Sequence, residues 1–265
     1  TDYTCDGNTG ATITLANVGD SVYFRGNNDT FSKSYDNYYN FQFSALTRAS
    51  GNVMSLLDKQ FRKKEVTEYC FNLLFYNCTS LTTAPELPAT TLRESSYYNM
   101  FSGSGIVAAP ELPATTLGGA CYRSMFEGCT SLTTAPELPA ISLVDSCYCN
   151  MFYGCRSLTT APALPATTLT IQCYRGMFLG CTSLTTAPAL PATTLADRCY
   201  RSMFSDCTGL KISATQTGEY TTAWRIPSAG EITSDPSNWN TNMLKNTGGT
   251  FTANPSRNTT YYMAG

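Results

Sequence analysis

Residues 121–143 read CYRSMFEGCTSLTTAPELPAISL, and the same string returns along the chain with few changes. It stands as CFNLLFYNCTSLTTAPELPATTL at 70–92, as CYCNMFYGCRSLTTAPALPATTL at 147–169 and as CYRGMFLGCTSLTTAPALPATTL at 173–195. A copy one residue shorter, SYYNMFSGSGIVAAPELPATTL, occupies 96–117, and a sixth begins CYRSMFSDCTGL at Cys199 before the pattern fades. The units start at 70, 96, 121, 147, 173 and 199, so the steps are 26, 25, 26, 26 and 26. One such unit cannot bury its apolar side alone, whereas stacked units share a continuous core. The period therefore predicts a repeat solenoid.

Each unit divides into three parts. In Cys121-Tyr122-Arg123-Ser124-Met125-Phe126 the apolar residues fall at i, i+4 and i+5, which predicts a short helical turn ended by Gly128-Cys129. Leu132 to Thr134 reads as a short β-strand, and the two prolines of Ala-Pro-x-Leu-Pro forbid a helix and favour extended backbone. Ala-Thr-Thr-Leu is a second extended stretch. If neighbouring units pair as strands, each coil adds about 4.8 Å along the axis.

The flanks differ from the repeats. Residues 1–65 hold an alternating strand candidate, Ala11-Thr12-Ile13-Thr14-Leu15, then Val22-Tyr23-Phe24 and Val53-Met54-Ser55-Leu56-Leu57, and read as a β-rich N-terminal cap. Residues 66–210 form the array of about six repeats. Residues 211–265 are rich in Thr, Asn, Gly and Ser and read as an irregular C-terminal cap. Within it, Trp239-Asn240-Thr241-Asn242-Met243-Leu244 imitates the repeat's turn, with Trp239 in the cysteine column, and predicts a degenerate last coil.

Composition narrows function. Hydrophobic residues make up 42% and charged residues 14%, a balance that supports a packed core and argues against disorder. The formal net charge is −2 with no polybasic run, so neither nucleic acid nor an anionic membrane is an expected partner. No apolar stretch approaches the roughly 20 residues of a membrane span. Histidine is absent, which removes the usual general base and the commonest transition-metal ligand. No paired carboxylates or nucleophile–base set can be picked out, so no catalytic residue, metal or cofactor is expected. The chain opens Thr1-Asp2-Tyr3 and reads as a mature form or an excised fragment.

The string Met-Phe-x-Gly-Cys-x-Ser-Leu-Thr resembles the BspA-like leucine-rich repeats of bacterial surface proteins, over about residues 66–210. The resemblance implies a leucine-rich-repeat-like solenoid, display on a cell surface, and a role in adhesion. It carries no catalytic residues. The chain departs from that family in having Cys where Ile or Met is common at the start of the turn, and in its proline-rich strand.

Ten of the twelve cysteines lie in two columns eight residues apart: Cys70/Cys78, Cys121/Cys129, Cys147/Cys155, Cys173/Cys181 and Cys199/Cys207. In the unit at 96 both change together, to Ser96 and Ser104. The joint change fits a disulfide within each unit; two ladders of small buried thiols fit the spacing equally. Zinc is not expected, because the spacing is not that of a zinc site and no His is available. Cys5 and Cys149 lie outside the columns, either paired with each other or free.

Repeat proteins bind through positions that vary while the scaffold repeats. The position after Cys-Tyr holds Asn72, Tyr98, Arg123, Cys149, Arg175 and Arg201, a row with three arginines. The variable position of Ala-Pro-x-Leu-Pro holds Glu86, Glu111 and Glu137, then Ala163 and Ala189. Both the arginine row and this acidic stripe read as solvated edges, with ligand contact as the alternative for the arginines and a cationic or calcium-bearing ligand as the alternative for the glutamates. Tyr76, Tyr98 and Tyr153 are candidates for contact with a sugar or protein, since Tyr offers an apolar face and a polar tip. Tyr122, Tyr148, Tyr174 and Tyr200 recur at one position and read as structural. The Thr pairs 133–134, 159–160 and 185–186 suggest an ice-binding array, but strand alternation would let only one Thr of each pair face out.

These readings converge on a non-enzymatic binding or adhesion module, extracellular or at a bacterial surface, that recognises a protein or glycan. The alternative is a structural fibre, pilus-like or phage-virion component that self-assembles and uses the repeats as a spacer.

Overall fold

The computed structural model describes residues 12–234 and 236–265. Among them the chain is mostly non-helical, with a few short strands and no closed sheet. Consecutive 26-residue units lie one on the next in parallel. Isolated parallel bridges tie Ala108 to Thr134, Thr134 to Thr160, Thr160 to Thr186, and Thr168 to Thr194.

The segment from Cys to Met-Phe is not the helical turn its spacing predicts. It is a ribbon of overlapping turns in which the backbone N–H groups alternate in direction. Cys121, Arg123, Met125, Glu127 and Cys129 donate three residues back, to Gly118, Ala120, Tyr122, Ser124 and Phe126. The intervening N–H groups of Ala120, Tyr122, Ser124, Phe126 and Gly128 donate to Asp145, Cys147, Cys149, Met151 and Tyr153 of the next unit. A left-handed residue at every fourth position produces this alternation: Ala120, Ser124 and Gly128 have φ of 52°, 54° and 71°. A right-handed helix would turn every N–H onto its own chain, four residues back. The ribbon instead gives half of them to its neighbour. Many of these places hold small or polar residues that tolerate positive φ, as Asn99, Asn150 and Ser202 do in the Ser124 column, although Leu73 in that column and Tyr69, Gln172 and Arg198 in the Ala120 column adopt the same φ. Gly176 continues that column at φ of 58°.

The extended parts are thinner than predicted. Only Leu81–Thr83 (β2) is a strand within the repeats, paired in parallel with Thr47–Arg48 (β1) of the preceding segment. Elsewhere single bridges remain, because each proline removes a ladder donor. The Thr expectation also changes. Thr133 and Thr134 are both exposed, as are Thr159, Thr160, Thr185 and Thr186. With one bridge per unit there is no continuous pleat to send alternate residues to opposite faces.

The core is a set of columns. The Phe rings stack nearly parallel from Phe75 through Phe101, Phe126, Phe152 and Phe178 to Phe204, with centroids 5.3 to 5.8 Å apart. Beside them Tyr122, Tyr148, Tyr174 and Tyr200 stack at 5.7 to 6.0 Å, so these tyrosines are structural. Met125, Met151, Met177 and Met203, with the leucines of the extended parts, complete the interior. Burying one such ring contributes about 1.5–3 kcal/mol, and a good ring pair about 0.5–1.5 kcal/mol more.

All eleven described column and row cysteines are free and buried; Cys5, and so any pairing of it with Cys149, lies outside the described residues. This arrangement is that of the two thiol ladders. The second column shows why. Cys129, Cys155, Cys181 and Cys207 donate to the carbonyls of Phe101, Phe126, Phe152 and Phe178 in the preceding unit, at 2.9 to 3.1 Å. Burial pushes these thiols up, Cys129 to about 11 and Cys207 to about 12, so they stay protonated donors.

The ends reverse the expected order of regularity. Thr12–Leu15 and Val22–Phe24 form no strand, and Val53–Leu56 is a 3₁₀ turn capped by Asn52, so among the described residues of the N-terminal region β structure is limited to β1 and isolated bridges; Ala11 of the first strand candidate lies outside them. The region is an irregular coil laid on the first unit. Ser32 and Phe41 donate to Cys70 and Leu74, Asn52 bridges to Glu86, and Phe41 stacks on Phe75 at 5.6 Å. At the other end an antiparallel sheet of order β3-β5-β4 joins Ile212–Ser213 (β3), Tyr220–Ile226 (β4) and Thr259–Ala264 (β5). Trp239 accepts from Tyr200 N–H, and Met243 from Phe204 N–H, as Cys199 and Met203 do one unit earlier, so the degenerate last coil is present. Both tryptophans close the aromatic columns edge-on: Trp239 on Tyr200 at 6.1 Å, and Trp224 on Phe204 at 6.1 Å.

Candidate functional surface

The four-residue period of the ribbon sorts its side chains. Pairs such as Cys121-Tyr122 and Met125-Phe126 point inward; the pairs between them, Arg123-Ser124 and Glu127-Gly128, form the outer face. The variable row after Cys-Tyr belongs to this second set of pairs, though some of its members, such as Asn72 and Cys149, and also Ser124 beside it, are buried.

The row after Cys-Tyr runs Asn72, Tyr98, Arg123, Cys149, Arg175, Arg201. Asn72 and Cys149 are buried, whereas Tyr98 and the three arginines are half-buried. Arg123 lies over the Tyr98 ring, 5.8 Å from its centroid, and Tyr35 meets Tyr98 edge-on at 5.5 Å. Aromatic and cationic groups therefore join in one stripe. The Arg123 Nε is buried with no hydrogen-bond partner, and Arg175 donates to Gln172 Oε1 at 3.2 Å. Among the described residues no carboxylate forms an ion pair with Arg123, Arg175 or Arg201. Two neighbouring acids are already engaged: Asp145 accepts from Ile171 N–H, and Asp197 pairs with Arg198. The Cys149 thiol feels both Arg123 and Arg175, yet burial outweighs them and pushes it up.

Tyr76 and Tyr153 fall in the next row, with Ser102, Glu127, Leu179 and Ser205, so the three candidate tyrosines do not form one cluster. Tyr153 is 38% exposed. Glu86, Glu111 and Glu137 are exposed on the proline-rich part of the unit, and none is ion-paired with the arginine row. No group of three or more Cys, Asp or Glu side chains among the described residues is placed to hold a metal.

Two features of this face escape a reading by column. The amides and hydroxyls of Asn99, Asn150 and Ser202 run beside the arginine row, in the left-handed positions of the ribbon. Their signal was present as recurrent Asn, Ser and Gly one residue after the row. Tyr35 left no such signal, since it comes from the irregular N-terminal coil.

Comparison with the sequence models of known protein families, with curated proteins and with solved structures finds no match.

Proposed function

We propose that the chain is a leucine-rich-repeat-like solenoid of the BspA-like kind, working as a non-enzymatic binding module displayed outside a bacterial cell. The observation that carries this reading is the division of the ribbon. Its inner positions repeat almost without change, while its outer row varies and gathers three arginines that have no carboxylate partner. A spacer needs only the repeating half. A recognition surface needs the variable half as well.

The ligand is a protein or glycan that lies across the outer face and meets Tyr98, Arg123, Arg175 and Arg201. Half-buried Tyr76 and exposed Tyr153 border the same surface in the next row. Against the reading as a self-assembling fibre or virion component stands the covering of both ends of the stack, by residues 31–58 at one and by the last coil with its sheet at the other.

The test is capture of the intact chain on immobilised matrix proteins and on a glycan array, with the Arg123→Gln/Arg175→Gln/Arg201→Gln variant alongside. Loss of capture with an unchanged circular dichroism spectrum supports the reading. Undiminished capture removes this face as the binding surface, and regular polymers in electron microscopy would favour the fibre component.

A further inference from the structure

Resting on that reading, we infer that the ligand is an acidic polysaccharide: a linear glycan bearing carboxylate or sulfate groups, laid along the stack so that its acids meet the arginine row. Four observations lead there.

The first is charge without an ion-paired counter-charge, although Glu127 of the adjoining row acts on Tyr98 and Cys149 beside Arg123. Arg123, Arg175 and Arg201 sit on one row of a chain whose net charge is −2, and none of them forms an ion pair. A guanidinium offers five donors in a planar fork that suits carboxylate and sulfate oxygens. An oxyanion arriving from solvent supplies acceptors to the parts of these half-buried arginines that stay open to water.

The second is the aromatic end of the stripe. Tyr35, 51% exposed, and Tyr98 lie edge-on, with Arg123 over the second ring. An exposed ring face beside a cation accommodates the C–H face of a sugar together with its acid substituent.

The third is the neighbouring row. Asn99, Asn150 and Ser202 are half-buried and provide amide and hydroxyl groups next to the arginines, a set that matches sugar hydroxyls.

The fourth separates a glycan from an acidic peptide. An extended peptide gains affinity by adding main-chain hydrogen bonds to a free sheet edge, or by seating apolar anchors in pockets. The ribbon offers no such edge: its alternate N–H groups are already committed to the next unit. Two depressions of the described surface lie away from the arginine row, beside Asp58 and Lys63 and beside Trp224 and Met263. Arginines one coil apart, at 175 and 201, and two coils apart, at 123 and 175, stand about 5 and 10 Å apart along the axis if the coils keep strand spacing. That is a ruler for a regular polymer.

The experiment is calorimetric titration of the intact chain with polygalacturonate, heparin, neutral dextran and poly-glutamate, at low and at physiological salt. Polygalacturonate and heparin distinguish carboxylate from sulfate as the preferred acid. The expected result is binding of one or both, weakening as salt rises, with dextran and poly-glutamate bound far more weakly. The triple Arg→Gln variant should weaken binding of the acidic glycan about tenfold or more, because charge-assisted pairs are the stronger hydrogen bonds. The matching triple Arg→Lys variant, which keeps the charge and loses the fork, should recover only part of it.

Equal binding of dextran, or of poly-glutamate, overturns this inference and leaves the binding-module reading standing. The same holds if no polymer binds while a matrix protein is captured through the row. Binding of polygalacturonate or heparin that the triple variant leaves unchanged also overturns it, by showing that the row does not contact the acid. Failure to capture anything in either experiment overturns both.

Discussion

The middle of the stack and its two ends solve the same physical problem in different ways. Between units 121 and 147 the interface uses five ribbon hydrogen bonds, one Phe pair at 5.6 Å and one Tyr pair at 5.7 Å, and the following interfaces repeat the scheme. At the ends the aromatic columns are not continued, although the last coil keeps the ribbon hydrogen bonds. Phe31 and Phe41 cover the first unit from an irregular coil, while Trp224 and Trp239 close the last from an inserted sheet and a degenerate turn. A repeated interface needs one solution copied several times. Each end must be covered by its own chain segment, because an open aromatic column and open backbone donors would face water or another molecule.

Alkaline pH should break the middle before anything else. Burial pushes Cys121 and Cys199 up to about 12 and Cys129 to about 11, against 9.0 for a free thiol. A raised folded-state value means that the unfolded chain gives up its proton first. The stabilisation is therefore complete below pH 9, falls as pH climbs from 9 towards 12, and each such thiol removes about 1.4 kcal/mol per pH unit. Thermal melts should be flat from pH 7 to 9 and drop steeply above it. A melting temperature that holds to pH 11 would show that the thiols are not buried as described. Alkylation at pH 8 should likewise proceed only after denaturant is added.

Removing one ring from the middle comes next. Phe152 is fully buried and stacked on Phe126 and Phe178, so Phe152→Ala should destabilise the chain by about 3–5 kcal/mol in denaturant melts. Trp239→Ala tests the end. Trp239 is 4% exposed and makes one ring contact among the described residues, edge-on with Tyr200, so its loss should cost less, about 2–3 kcal/mol, and should raise hydrogen exchange first in residues 199–207. If Trp239→Ala proves as costly as Phe152→Ala, the ends are as tightly integrated as the middle and the contrast fails.

The same contrast governs what the sequence discloses. The unit boundaries, the Tyr, Met-Phe and Cys columns and the outward arginine row follow from periodicity, because six copies average out local accidents. The Trp239 coil is legible for the same reason, since it still carries the Met in register. The ribbon itself is not legible as apolar spacing: inward pairs at i, i+1 and i+4, i+5 look like a helical face, and only Ser124, Asn150 and the glycines at 128, 154 and 180 betray a left-handed residue every fourth position. The N-terminal coil and the C-terminal sheet are single solutions, so Ile13 reads as a strand where none forms. The arginine row is visible as a column, but its lack of acidic partners becomes visible only when Asp145 and Asp197 are seen to be engaged elsewhere.

The smallest expected effect sharpens the account of the ribbon. Gly154 has φ of 72°, and a Cβ there would lie 3.9 Å from Gly128, an ordinary contact, so space does not require glycine. Only the left-handed backbone does. Gly154→Ala should therefore cost about 1 kcal/mol, and a β-branched Gly154→Val more, since left-handed strain grows with side-chain branching. The same column holds Asn77 and Asp206 at φ of 56° and 60°, residues whose short polar side chains suit that conformation. Gly154→Asn should thus be milder than Gly154→Ala, although Asn is the larger residue. Chemical denaturation of the three variants tests the ranking. If stability follows side-chain size instead, the ribbon is limited by packing between coils, and the left-handed residue at every fourth position is not what sets its alternating hydrogen bonds.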